Sequence, residues 1–260
     1  YLCWKGAGYA GVAVSVAVPA ALALWAYTGT VSRLARNARH PWAPLLIGAL
    51  GFALMASYLS IRPSLWTAAL LFVAISSCLE WRRGADKRCL FALPVVSLLS
   101  VNLQAALWPL PAAAAACFLL PEEGEFEPSN TCEALRAWSQ SRLPLLAAIA
   151  GMAAESLVNP YAIDGSLYAL RSLGAASYGG VILELKPVWA MPETAPVWCV
   201  AVLAAIVSCA LARRFPPRWL LAFWLASAIA GALAVRCLWI TWTVSFLIVA
   251  VSAGRKEELE

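Results

Sequence analysis

Charge and histidine are both scarce in this chain. Asp, Glu, Lys and Arg make up 13% of its 260 residues, about half the share usual in soluble domains. His40 is the single histidine. The eight cysteines, Cys3, Cys78, Cys89, Cys117, Cys132, Cys199, Cys209 and Cys237, form no CxxC or CxxCH pattern. One imidazole and no paired thiols leave no ligand set for haem or an iron–sulfur cluster. The cysteines therefore read as small apolar packing residues, and no metal site is expected from them. Internal repeats are missing too, and with them the paired broken helices of a repeat-built transporter. Low-complexity linkers are also missing, so residues 1–260 read as a single transmembrane domain.

Apolar residues are plentiful, at 62%, and they are gathered into long runs. A spanning helix needs roughly 17–25 such residues, and open sheet edges are excluded from lipid. The runs lie at about 8–28, 44–61, 64–79, 89–107, 109–120, 143–158, 197–212, 218–235 and 237–253. The expected fold class is an all-α integral membrane protein, a polytopic bundle of about nine transmembrane helices. The fifth run is Ala-rich, opens with Pro109 and Pro111, and is the shortest. Several of the 13 Trp residues, among them Trp42, Trp66, Trp108, Trp189, Trp198 and Trp219, fall at run ends, as an aromatic belt requires.

The net charge of +5 is no nucleic-acid footprint, because its Lys and Arg residues flank the apolar runs. With the first loop inside, 14 of the 19 Lys and Arg fall on the cytoplasmic side. Arg33, Arg36 and Arg39, then Arg82, Arg83, Lys87 and Arg88, are the densest groups. Lys5, Arg62, Arg171, Lys186 and Arg236 fall outside. The expected location is a bacterial inner membrane, with the C-terminus and an acidic loop at about 121–142 in the cytoplasm. Within that loop, residues 131–142 are expected to form a short surface helix.

Polar residues inside apolar zones are costly and therefore informative. Arg62, Asn102, Gln104, Glu155, Asn159, Glu184, Lys186 and Arg236 all fall at the outer level of this arrangement, whereas the inner Arg groups read as exposed topological charge. Glu155, one turn inside a run, needs a partner, with Arg62 or Arg236 the candidates. The simpler reading has the arginines snorkelling to headgroups and the amides joining helices. The outer loop, about 159–196, breaks at Asn159-Pro160-Tyr161. Asp164 is expected to cap an amphipathic helix there, with Ile163, Leu167, Leu170 and Leu173 on one face. Such a helix would lie in the membrane interface, with Tyr161 and Tyr168 at headgroup depth.

Several motifs follow one another along the chain: Arg62-Pro63-Ser64, Asn102-Leu103-Gln104, Asn159-Pro160-Tyr161, Glu184-Leu185-Lys186-Pro187 and Ala234-Val235-Arg236. This order resembles the later spans of bacterial multi-pass proteins related to GT-C glycosyltransferases. The resemblance implies a membrane enzyme that takes a sugar from a polyprenyl-phosphate carrier at the extracytoplasmic face. Glu184 is the acid it points to here, and Arg62 or Arg236 suits the leaving phosphate. Asn102, Gln104, Glu155, Asn159, Tyr161 and Lys186 complete the expected binding set. Gln104 stands where the family has His, Leu185 where it has Trp, and Ala162 where it has Gly.

The family's acidic first external loop, with which a divalent metal would belong, is not in this sequence. The chain begins at Tyr1, so a processed end and the later part of a longer protein are both open. Beyond lipid, the expected partners are other membrane subunits, since the altered motifs also suit a non-catalytic subunit or scaffold of a larger membrane complex.

Overall fold

A computed structural model describes residues 2–35, 38, 40–58, 64–84, 86–122, 131–173, 185–213 and 215–254. Every regular element among them is helical: α1 (Leu2–Leu34), α2 (Ala43–Tyr58), α3 (Ser64–Arg82), α4 (Ala92–Leu103), α5 (Pro109–Cys117), α6 (Thr131–Glu155), α7 (Ala162–Leu173), α8 (Ala195–Ala212), α9 (Arg218–Leu233) and α10 (Leu238–Ala253). Short 3₁₀ turns cover Lys87–Phe91, Val188–Ala190 and Val235–Cys237.

Four segments are long and apolar enough to cross a membrane: Ala13–Leu34, Ser64–Arg82, Ala195–Ala212 and Val235–Ala253. Two more, Ala43–Ala53 and Arg218–Leu233, are apolar but shorter. The run expected at 89–107 is divided. Asp86 caps a 3₁₀ turn by accepting from Arg88 N–H, α4 follows, and the chain leaves the helix at Gln104 (φ −153°, ψ 82°). Pro109 then opens α5. At 1.5 Å per residue α4 is about 18 Å long and α5 about 14 Å, each well short of a ~30 Å hydrocarbon core.

Two other boundaries moved. α1 runs past 28 through Arg33, with a kink at Gly8 (φ 55°) and Pro19 inside it. The expected surface helix at 131–142 and the run at 143–158 form one helix, α6, despite Pro144.

α3 and α10 are the interior helices, with 72% and 78% of their apolar windows buried, against 11% for α8. α1 lies against both, α2 against α1 and α10, and α8 and α9 against α10. α4 and α5 cover α3, α6 covers α4, and α5 touches α9. The contacts thus close a ring through α3, α5, α9, α10 and α1.

Rings and small polar groups join the helices. Tyr27 meets Phe72 at 4.7 Å, and Phe118 stacks on Trp219 at 4.0 Å. Thr241 Oγ1 donates to Ser227 O at 2.6 Å, Trp224 Nε1 to Ser245 Oγ at 2.9 Å, and Ser97 Oγ to Met152 O at 2.7 Å. Where water is absent, small residues and interhelical hydroxyl bonds of this kind hold helices together.

The bonds also fix direction. Arg33 meets Glu80 at the C-terminal ends of α1 and α3, while Thr67, near the start of α3, meets Gln104, just past α4. α1 and α3 are therefore parallel, and α4 is antiparallel to both.

Candidate functional site

The end of the bundle that carries Gln104 and Asn159 holds most of the polar residues singled out from the sequence. Arg62 and Glu184 lie outside the described residues. Of the rest, three amides are occupied by the fold. Asn102 Nδ2 donates to Leu98 O and, across to the end of α6, to Val158 O at 2.9 Å. Gln104 Oε1 accepts from Thr67 Oγ1 at 2.6 Å.

Asn159 bridges α6 and α7. Its Nδ2 donates to Ser156 O and Ala162 O, and its Oδ1 accepts from Tyr161 N–H at 2.8 Å. Asn159 thus serves the start of α7, the role expected of Asp164. Asp164 instead sits in the first turn of α7 and pairs with Arg171 at 2.8 Å. The reason is local. The chain turns through Ala162 with a positive φ of 46°, and Gly165 has no Cβ to displace the Asn159 amide, so α7 begins at Ala162, three residues before a start capped by Asp164.

Around this corner Trp108 Nε1 donates to Ser166 O at 2.8 Å, and the buried Ser166 Oγ donates to Ser156 O at 2.6 Å. These bonds tie the entry to α5, the end of α6 and the start of α7 into one unit. Tyr161, Ile163 and Tyr168 are exposed on it.

Glu155 is half-buried. Among the described residues its carboxylate has no hydrogen-bond or ion-pair partner, so the expected pairing with Arg236 is not made. Arg236 lies elsewhere, in the 3₁₀ turn between α9 and α10. It is half-buried, and its Nε is buried without a hydrogen bond. Val235 N–H donates to Lys186 O at 3.0 Å, which brings the Lys186 segment beside the Arg236 turn. The outer polar set therefore resolves into an amide corner built by α4, α6 and α7, and a cationic corner of Lys186 and Arg236. Among the described residues no group of three or more His, Cys, Asp or Glu is arranged to hold a metal ion.

The opposite end, read from the sequence as exposed charge, is more structured than expected. Arg33 Nε pairs with Glu80 at 2.6 Å, and Arg83 donates to Arg33 O. Arg82, largely buried, pairs with Glu122, donates to Phe118 O and Leu120 O, and lies over the Phe118 ring. Arg142, only 5% exposed, lies over Trp81. The carbonyls past α5 have no helical partner, and Arg82 satisfies them. The sequence signal was the alternation Glu80-Trp81-Arg82: an acid, a ring and a base at the end of one apolar helix. A charge count by side cannot see it.

No protein-family model, curated protein or solved structure matches the chain.

Proposed function

We propose that this chain is a GT-C-like membrane glycosyltransferase that acts on a lipid-linked sugar at the extracytoplasmic face. It crosses a bacterial inner membrane about nine times, with α7 lying in the outer interface and the C-terminus in the cytoplasm. In this topology α4 and α5 are short legs flanked by α3, α6 and α9. The amide corner and the cationic corner then face outward together.

The observation that carries the reading is the tie between Val235 and Lys186. It holds the Leu185-Lys186-Pro187 segment beside Arg236, whose buried Nε has no hydrogen bond among the described residues. A buried guanidinium donor without an acceptor is an unmet need for an anion. A polyprenyl phosphate meets it. In the reaction, the acceptor hydroxyl attacks the anomeric carbon as Glu184 takes its proton. The bond from that carbon to the phosphate oxygen breaks, and Arg236, Lys186 and Arg62 stabilise the departing phosphate.

The test is sugar transfer from a polyprenyl-phosphate sugar in membranes carrying Glu184→Gln, Arg236→Ala or Arg62→Ala. Each substitution is expected to lower transfer by about 10²-fold or more. Transfer unchanged in all three variants overturns the reading.

A specific observation favours a second reading, a non-catalytic subunit. Asn102, Gln104 and Asn159 direct their amides to neighbouring helix ends, so three of the motif positions are accounted for by architecture alone. This reading expects partner chains to co-purify stably in mild detergent. A lone chain with transferase activity rules it out.

A further inference from the structure

At the Arg-rich end, α8 and α9 part company. Their other halves touch, where Trp198 Nε1 donates to Ala228 O at 3.0 Å. Towards the turn between them they diverge, leaving a crevice of about 480 Å³, a size within the range of ligand sites. Ala205, Cys209, Leu221, Trp224 and Ile248 line it, and Arg213 and Phe215 stand at its mouth. Small side chains make the room: Ala205 and Cys209 sit one turn apart on α8, facing α10. Trp224 presents a wall without polar demand, because its indole N–H is already bonded to Ser245.

Among the described residues Arg213 is the one charged group in the lining. It ends α8 in the left-handed region (φ 52°, ψ 40°), a conformation that ordinarily belongs to glycine at this position. Among the described residues its guanidinium has no hydrogen-bond or ion-pair partner. An apolar slot open beside a lipid-facing helix, with an uncompensated cation at its rim, matches an acyl chain joined to an anionic headgroup.

We propose that this crevice is a binding site for one anionic phospholipid of the inner leaflet. Its acyl chain lies between α8 and α9 on α10, and its phosphate sits at Arg213. The proposal rests on the membrane reading above, and it concerns the face opposite the transferase site.

The test is native mass spectrometry of the full chain released from nanodiscs of equal parts phosphatidylcholine and phosphatidylglycerol. The expected result is one retained phospholipid, with phosphatidylglycerol favoured about fivefold, the effect of one basic residue near an anionic surface. Arg213→Gly suits the left-handed backbone, so the variant folds, and it is expected to lose the preference. Arg213→Lys is expected to keep it, and Cys209→Phe, which fills the crevice, to lose the retained lipid of either kind. A preference unchanged in Arg213→Gly overturns the proposal. So does retention unchanged in Cys209→Phe, or a second copy of the chain in place of lipid. A chain that enters nanodiscs but retains no lipid overturns this site alone, whereas one that stays in solution without detergent overturns the membrane reading with it.

Discussion

At the scale of single residues, the bundle is set by places where no side chain, or only a small one, is tolerated. A Cβ added at Gly231 would overlap Thr241 Oγ1, and one at Gly51 would overlap Tyr27 Oη. Gly231→Ala therefore has to displace the hydroxyl that bonds Ser227 O, a change expected to destabilise by about 1–3 kcal/mol. Gly6, helical and with nothing near it, is the control, and Gly6→Ala should not destabilise and should gain up to about 1 kcal/mol from helix propensity. Thermal unfolding in detergent, followed by Trp fluorescence, measures both. Ser97→Ala removes one interhelical bond to Met152 and should cost about 0.6 kcal/mol, the average for such bonds in membranes. A loss several times larger would mean that Ser97 supports more than that contact.

Helices as units differ in what surrounds them. α10 is packed on nearly every side, so its hydroxyls bond inward, whereas α8 shows Val200, Leu203, Ile206, Val207 and Leu211 outward. On a water-facing helix a charge at such a position is nearly neutral; in hydrocarbon it is not. Val207→Lys is expected to raise the insertion free energy of α8 by about 2.5–3.5 kcal/mol, read by a translocon insertion assay, with Val207→Leu as the neutral comparison. No difference between the two would place α8 in water.

α7 makes a similar point at smaller scale. Ile163 and Leu167, one turn apart, are exposed, and Asp164 and Arg171 pair beside them, so an apolar strip and a charged strip share one accessible side. A spin label at position 163 should collide more with membrane-dissolved oxygen than one at 164, which should favour an aqueous nickel complex. Equal accessibility at both positions would remove α7 from the interface.

For the whole molecule the main prediction is topological. Reporter fusions after Trp189 should be active as an alkaline phosphatase and dark as a fluorescent protein. Fusions after Phe215 and at the C-terminus should behave oppositely, following the excess of Lys and Arg on that side. Activity of the phosphatase at Phe215 would invert the assignment. The ring through α3, α5, α9, α10 and α1 is what links the two ends. Short helices such as α5 contribute to it by packing rather than by length.

Much of this organisation is written in the chain itself. Long apolar runs bounded by Arg clusters determine that the fold is helical, and they locate α2, α3, α8, α9 and α10 to within a few residues, because a run's ends are marked by charge or proline. The amphipathic pattern likewise announced α7. What the chain alone did not decide is where polar side chains spend their bonds. Asn102 and Asn159 looked like site residues because amides are costly in lipid, yet Asn159 spends its bonds on the turn around it, and Asn102 gains Val158 O as a partner only when α4 and α6 converge. Arg82 and Arg142 looked like surface charge, and only tertiary packing, with Phe118 against Arg82 and Trp81 against Arg142, buries them. The crevice at Arg213 is beyond sequence for the same reason. It is a space between α8 and α9, and a space belongs to no residue until the helices on either side of it are set.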